Sequence, residues 1–395
     1  MTNNIISFFS GAGGMDLGFE RAGFKIKLAV ELEQIMCETL RLNNKDTSLN
    51  ILQGNILETS TDEILDRSSL KKGMVTGIIG GSPCQSFSTA GNRGAFSDDR
   101  GQAMIKYIEL INEIKPEFFV LENVKGLLSA ALEHVSLEDR KKNKEYGIPL
   151  KETQQPGSAF KYLLSKIRGY DVHYKVLNAA EYGVPQKRER IFIIGFIKDA
   201  QGIPMYDYVF PTPTHRKISN QNATLFDYEN RESDLQPWVS FIEATSNLDT
   251  SKMNYQKYSE KRLEIMKKVP KGGGNWRDLK VFGEIFVREA MRGAYESGGG
   301  KVGFFRRIKA NEPAPTLLTS PAQNSTNLGH PYEDRPLSIE EYLAIQQFPD
   351  GYNLFGNLSD QYKQIGNAVP VGLAYVVAKS ILTTLENKKI EHSHV

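Results

Sequence analysis

Cysteine occurs twice in this chain of 395 residues, as Cys37 and Cys84. Cys84 follows an apolar run at residues 75–79, in Gly80-Gly81-Ser82-Pro83-Cys84-Gln85-Ser86. The run reads as a short buried strand that the two glycines end, with Pro83 stiffening the turn. A thiol just past the carboxyl end of a buried strand stands where α/β proteins do chemistry. Spacing alone leaves nucleophile and structural thiol equally open. Cys37 lies in a helical pattern, Gln34-Ile35-Met36-Cys37-Glu38-Thr39-Leu40, where burial is its expected role. Glu122, in Glu122-Asn123-Val124, follows a second apolar run at 118–121. An acid beside a thiol on one sheet edge suits nucleophilic and general-acid work. Arg188 and Arg190 alternate in Gln186-Lys187-Arg188-Glu189-Arg190, ahead of a strand at 191–197. They could clamp a phosphate or a base edge, or mark a solvated turn.

The elements that must position these groups begin at the N-terminus. A strand at 5–9 runs into Ser10-Gly11-Ala12-Gly13-Gly14, then a helix at 15–22 that Gly23 stops. Such a turn lets a ligand approach bare backbone N–H groups at a helix start. It is not the dinucleotide fingerprint, because Asp16 stands where the third glycine belongs, and this disfavours an NAD enzyme. A second strand, 26–30, ends in Glu31, which is either a holder of ribose hydroxyls or an exposed strand-end acid. A helix at 34–42 and a strand at 51–53 lead to Gly54-Asn55-Ile56. This βαβαβ opening predicts an open, mainly parallel sheet with Phe9, Glu31, Asn55 and Cys84 at its carboxyl edge.

Composition is that of an ordinary globular protein, 40% apolar and 24% charged. No uninterrupted apolar run approaches the ~20 residues that span a bilayer, and the N-terminus lacks a secretory pattern. Two distant cysteines suit a reducing compartment, and no Cys or Cys/His cluster has zinc spacing, so no metal is expected. Net charge is +2, yet residues 251–310 hold fifteen Lys/Arg against six Asp/Glu, a balance of +9 that leaves −7 for the rest. A basic segment on an acidic remainder marks either a polyanion-binding surface or a solvated mixed face. Prolines at 204, 211 and 213 open a second unit, expected to consist of short strands and loops. Order returns with a capping box, Ser338-Ile339-Glu340-Glu341, and a long apolar helix at 371–385.

Six blocks in order resemble the bacterial C5-cytosine DNA methyltransferases: Phe8-Phe9-Ser10-Gly11-Ala12-Gly13-Gly14, Gly81-Ser82-Pro83-Cys84-Gln85, Glu122-Asn123-Val124, Gln186-Lys187-Arg188-Glu189-Arg190, Glu312-Pro313-Ala314-Pro315-Thr316-Leu317 and Gly366-Asn367-Ala368-Val369-Pro370. The resemblance implies a Rossmann-like S-adenosylmethionine-dependent sheet at 1–200, a smaller target-recognition domain at 201–325, and a segment, 326–395, returning to the catalytic domain. It implies methyl transfer to C5 of a flipped-out cytosine in duplex DNA, through a Cys84–C6 adduct. Cys84 matches the nucleophile, Glu122 the acid at ring N3 and Arg190 a residue that holds the target base, with Arg188 of the same block a further catalytic candidate. Phe9, Ser10, Gly11, Gly13, Gly14, Glu31, Asn55, Ile56, Pro83, Asn367 and Ala368 match positions around S-adenosylmethionine. Departures are Ser7 and Asn55, where relatives usually carry Asp, and Ala90, where many carry Ser. An RNA cytosine methyltransferase is the alternative, disfavoured by the long basic segment. A monomer acting on double-stranded DNA in the cytoplasm, without a membrane, is expected, beside a cognate restriction endonuclease acting on the same site.

Overall fold

The structure is a computed structural model that describes residues 3–44, 48–83, 96, 98–218, 235–296, 303–322 and 328–393. Cys84, Ala90 and the glycine run at 298–300 lie outside the described residues. Two compact units are present. The first comprises Met1–Leu177, Glu189–Pro211 and Ala374–Val395, and the second Asn178–Arg188 and Thr212–Leu373. The boundaries expected from sequence, 201–325 and 326–395, therefore shift. Residues 326–373 pack within the second unit, and only the last stretch joins the first.

The first unit is built on a seven-stranded sheet. Its strands are β1 (Asn4–Phe8), β2 (Lys25–Glu31), β3 (Asn50–Gln53), β4 (Gly77–Gly81), β5 (Phe118–Val124), β6 (Tyr170–Asn178) and β7 (Glu189–Ile197), in the order β3-β2-β1-β4-β5-β7-β6. β3, β2, β1, β4 and β5 run parallel, and β7 is antiparallel to β5. Strand order reverses direction between β1 and β4, which is where open α/β sheets take ligands. Both faces are covered. Phe118 stacks towards Phe19, Phe24 and Phe196, while its neighbour Phe119 meets Tyr170 on the other face, as strand alternation requires. The final helix, Val371–Ser393, joins the first of these faces: Leu382 approaches Gly23, and Arg21 lies 4.5 Å over the Tyr375 ring.

Tyr107, on the helix Asp99–Ile114, organises the reversal point. It is fully buried, packs edge-on against Phe8 at 5.7 Å, and donates its hydroxyl to the Val120 carbonyl at 2.7 Å. Gly80 lies directly under this ring, where a Cβ would come within 2.8 Å of Cε2. This corrects the sequence reading. The glycines 80 and 81 do not end the strand; they are its last two residues, because the ring occupies the place of a side chain. Likewise Glu122 and Asn123 lie inside β5 rather than after it.

The second unit has a core of its own, with Met266, Leu279 and Val287 fully buried around Trp276 and Phe305. It is not made of short strands and loops alone: helices span Glu260–Lys268 and Glu284–Met291. The expected capping box is formed, with Glu341 N–H donating to Ser338 Oγ at 3.1 Å and Ser338 N–H to Glu341 Oε2 at 2.7 Å. Among the described residues one helical stretch, Leu358–Lys388, is long and apolar enough to cross a bilayer by length and composition. Its most apolar window is 72% buried within the protein, as a core helix would be.

Gly80→Ala should destabilise the protein by about 1–3 kcal/mol, since the new methyl must displace Tyr107. Equilibrium urea unfolding measures this; a change under about 0.5 kcal/mol would show that the ring yields freely.

Candidate active site

The turn after β1 is shaped by backbone conformation. Phe9, Gly11 and Gly13 all have left-handed φ, at 55°, 55° and 77°. Phe9 pays a steric penalty there that glycine escapes, and its N–H is held by the Val30 carbonyl at 2.9 Å. Gly13 caps the helix Gly14–Ala22 with no side-chain hydrogen bond to its first turn. First-turn N–H groups are thus left for a ligand.

Glu31, the last residue of β2, reaches across to this turn. Its Oε2 accepts from Gly11 N–H at 2.8 Å, and its Oε1 accepts from the N–H groups of Leu32 and Glu33 at 2.8 and 3.0 Å. Burial pushes its carboxyl up, while these three amides pull it back. A carboxylate offers about four lone-pair sites, so one, on Oε2, is left to accept a hydroxyl. Asn55 follows β3, and its Oδ1 accepts from Leu57 N–H at 3.1 Å. That amide oxygen still has a second lone pair. Ile56 beside it is buried. Phe9, Ser10, Gly11, Gly13, Gly14 and Glu31 are thus brought together, with an acceptor carboxylate, open helix-start donors and an aromatic edge. This donor set fits the ribose, carboxylate and adenine of S-adenosylmethionine.

Asp16 is a residue whose part sequence reasoning missed. It is buried beneath the turn, where Ser7 Oγ donates to Oδ1 at 2.5 Å and Ser10 Oγ donates to Ser7 Oγ at 2.9 Å. Burial raises its carboxyl to about 7, with Glu20 and Glu31 adding to the rise and the serines opposing it. The signal available was the pairing of Ser7 with an acid one turn into the helix.

At the far side of the reversal point, β5 and β7 place an acid and a base. Val124 faces Arg190 across the antiparallel register. Glu122, two residues along β5 on the same face, is therefore Arg190's diagonal neighbour. Arg190 Nε lies 2.8 Å from Glu122 Oε1, with the two side chains only 14% and 8% exposed. Asn123 points to the other face and donates Nδ2 to Ser82, at 2.9 Å to Oγ and 3.2 Å to the carbonyl. The residue preceding Pro83 is so tied to β5. Cys37 is fully buried and donates its thiol to the Glu31 carbonyl at 3.6 Å, with its thiol pushed up to about 11, chiefly by burial. It is a packed thiol, as expected.

Arg188, Asn367 and Ala368 belong to the second unit. The buried Arg188 guanidinium donates to the carbonyls of Gly366 and Asn367 at 3.0 and 3.5 Å, which fixes the end of the helix Leu358–Asn367. Gly366 is needed there, since a Cβ would meet the Leu318 backbone at 2.8 Å. The Asn367 side chain is exposed and Ala368 buried. Two distant blocks also meet in this unit. Gln186–Lys187 pairs in parallel with Ala314–Pro315, and Lys187 Nζ contacts Glu312 Oε2 at 2.6 Å. Two lysines, Lys187 and Lys309, hold the Glu312 carboxyl down to about 2.

Asp16 should make stability pH-dependent. Its folded value lies above its unfolded one, so the folded chain holds the extra proton, and stability falls as pH rises through about 7. Between pH 6 and 8 the loss should be about 1 kcal/mol, and Asp16→Asn should abolish it. Thermal unfolding across that range measures the difference; parallel profiles for the two proteins would refute it.

Comparison with known proteins accords with this geometry. The family described as C-5 cytosine-specific DNA methylase matches residues 3–383. The type II methyltransferase M.Sau96I of Staphylococcus aureus is 35% identical over 381 residues, 96% of this chain and 75% of that protein. M.Eco47II of Escherichia coli is 35% identical over 390 residues, covering 98% and 81%. Among solved structures, a prophage-encoded DNA modification methyltransferase of E. coli superposes with a TM-score of 0.60 at 25% identity, over 97% of this chain and 99% of that one. The Schizosaccharomyces pombe Dnmt2 methyltransferase, at 13% identity and a TM-score of 0.55 over 97% and 98%, shares the fold. A match from end to end, on a sheet whose strand tips carry this donor set, makes the chain a member of the C-5 cytosine-specific DNA methylase family.

Proposed function

We propose that Cys84, Glu122 and Arg190 carry out cytosine C5 methylation in duplex DNA, with the first unit catalytic and the second reading the target. The observation that carries this is the Glu122–Arg190 pair, joined through Asn123 to Ser82, two residues before Cys84. Covalent geometry keeps the Cys84 Cα within about 7 Å of Ser82 Cα, and Asn123 holds Ser82 beside the strand that carries the acid.

Cytosine C5 is a poor nucleophile because its ring is electron-poor. The Cys84 thiolate adds to C6, and N3 accepts a proton or a strong hydrogen bond from Glu122, which turns C5 into an enamine carbon. Bound S-adenosylmethionine supplies an electrophilic methyl on a sulfonium. Once C5 carries the methyl, loss of its proton to solvent water, return of the N3 proton to Glu122 and expulsion of the Cys84 thiolate restore the aromatic ring. Arg190 orients the Glu122 carboxyl and stabilises charge that develops at the base. Neither face of C6 is reachable within a duplex, so the nucleotide rotates out of the stack at a cost of a few kcal/mol. Glu31, the uncapped helix start and Phe9 hold the donor, with Asn55, Ile56 and Pro83 around it. Arg188 supports Asn367 from behind and is a positioning residue.

The relatives' type II designation supports a cognate restriction endonuclease acting on the same site. The enzyme acts as a monomer in the cytoplasm.

Duplexes carrying 5-fluorocytosine at the methylated position should trap the protein irreversibly when the methyl donor is present, because fluorine cannot leave as the proton does. Denaturing gel electrophoresis detects the adduct. Cys84→Ser should yield none and lose methyl transfer while still binding DNA; undiminished turnover would remove Cys84 from the chemistry. Glu122→Gln should lower turnover by about 10²–10⁴-fold with S-adenosylhomocysteine binding retained.

A further inference from the structure

Asp16 is a buried carboxyl to which the proposed chemistry gives no task. It stands in the first turn of the helix Gly14–Ala22, beneath the turn that follows β1. Its hydrogen bonds have a direction. Ser10 Oγ donates to Ser7 Oγ at 2.9 Å, and Ser7 Oγ donates to Asp16 Oδ1 at 2.5 Å. Both hydroxyl protons point towards the acid, so a chain of aligned dipoles runs from the turn down to Asp16.

The charges that weigh most on Asp16 are themselves acidic: Glu20, on its own helix, and Glu31, from the tip of β2. β1 and the turn present it with the hydroxyls of Ser7 and Ser10. Arg21, the cation of the helix's last turn, lies over the Tyr375 ring at 4.5 Å. Burial raises the Asp16 carboxyl to about 7, and the two acids add to the rise. A desolvated carboxylate among like charges is costly to ionise, unless a cation comes close.

S-adenosylmethionine brings such a cation. The donor and its demethylated product, S-adenosylhomocysteine, share adenine, ribose, ammonium and carboxylate. They differ at one sulfur, which is a sulfonium before transfer and a neutral thioether after it. That sulfur joins the ribose to the chain that bears the carboxylate. With the ribose at Glu31 and the carboxylate at the helix start, it lies between the two.

We propose that Asp16 is a specificity-determining residue for ligand charge, whose buried carboxylate, relayed to the turn by Ser7 and Ser10, favours the sulfonium donor over its neutral product. Glu31 is engaged with three backbone amides and offers its remaining lone pair to a ribose that both ligands carry. Asp16 acts through the serines and through its field, so its effect falls on the one feature by which the ligands differ. Product release gains from this, since the spent ligand keeps every other contact.

The inference rests on reading this turn as the donor site. Calorimetric titration of the full chain with each ligand, without DNA, at pH 7.5 and pH 6 tests it. Asp16→Asn keeps an Oδ1 acceptor for Ser7 and removes the charge. At pH 7.5 it should weaken S-adenosylmethionine by about 10-fold and S-adenosylhomocysteine by less than about 2-fold. Ionisation runs upward through about 7, so the wild-type preference for the donor should shrink by about 4-fold from pH 7.5 to pH 6. The variant should lose that dependence. An equal loss of affinity for both ligands would make Asp16 a brace of the turn only and overturn the proposal. So would an unchanged preference in the variant. A wild-type preference identical at the two pH values would overturn it without recourse to any variant. A wild-type chain that binds neither ligand would overturn the donor-site reading together with the inference.

Discussion

The antiparallel step from β5 to β7 is the constraint on which the catalytic edge depends. It sets Glu122 and Arg190 diagonally on one face and turns Asn123 to the other, so one strand end serves two purposes. The ion pair is nearly dry, and removing either partner would strand the other at a cost on the order of 3–5 kcal/mol. A carboxylate so held cannot wander among rotamers. Asn123 meanwhile ties down Ser82, the residue that follows β4. The position of the acid is thus a consequence of strand register rather than of a loop's chance conformation.

The other side of the reversal point uses the opposite strategy. There the backbone itself is the ligand surface, and side chains are recruited to shape it. Glu31 braces Gly11 from β2, while Asp16, Ser7 and Ser10 brace the turn from below. Glu20 and Glu31 are near enough to Asp16 to add to the rise in its proton affinity. A sulfonium-bearing donor entering this field would meet favourable charge. A ligand that carries both a cation and a carboxylate suits such a turn.

Much of this was legible because the opening follows strong local rules. Apolar runs followed by glycine-rich or acidic turns gave β1 and β2 nearly to the residue, and the capping box at Ser338 formed as read. What escaped depended on distance. Nothing local says that Gly80 and Gly81 continue a strand, because the reason is a tyrosine more than twenty residues later. The meeting of Lys187 with Glu312, 125 residues apart, is likewise invisible to periodicity. The second unit was misread most, since its helices are short and its paired segments only two residues long. Such elements owe their form to tertiary packing rather than to pattern.

That packing explains why counting charges misleads in this protein. Arg188, Arg307 and Arg335 are all buried, and each acts as a scaffold. Arg188 gathers carbonyls at a helix end, Arg307 joins two chain segments to a helix end, and Arg335 links Glu333 to the capping-box Glu341. Guanidinium suits this work because five donors in a rigid plane can satisfy several acceptors at once. A lysine at any of these places would leave carbonyls unpaired. The basic balance of the segment therefore contains two populations, one turned inward to hold irregular chain together and one at the surface. Which population an arginine belongs to is decided by its hydrogen bonds, not by its place in the sequence, as the adjacent Arg306 and Arg307 make plain.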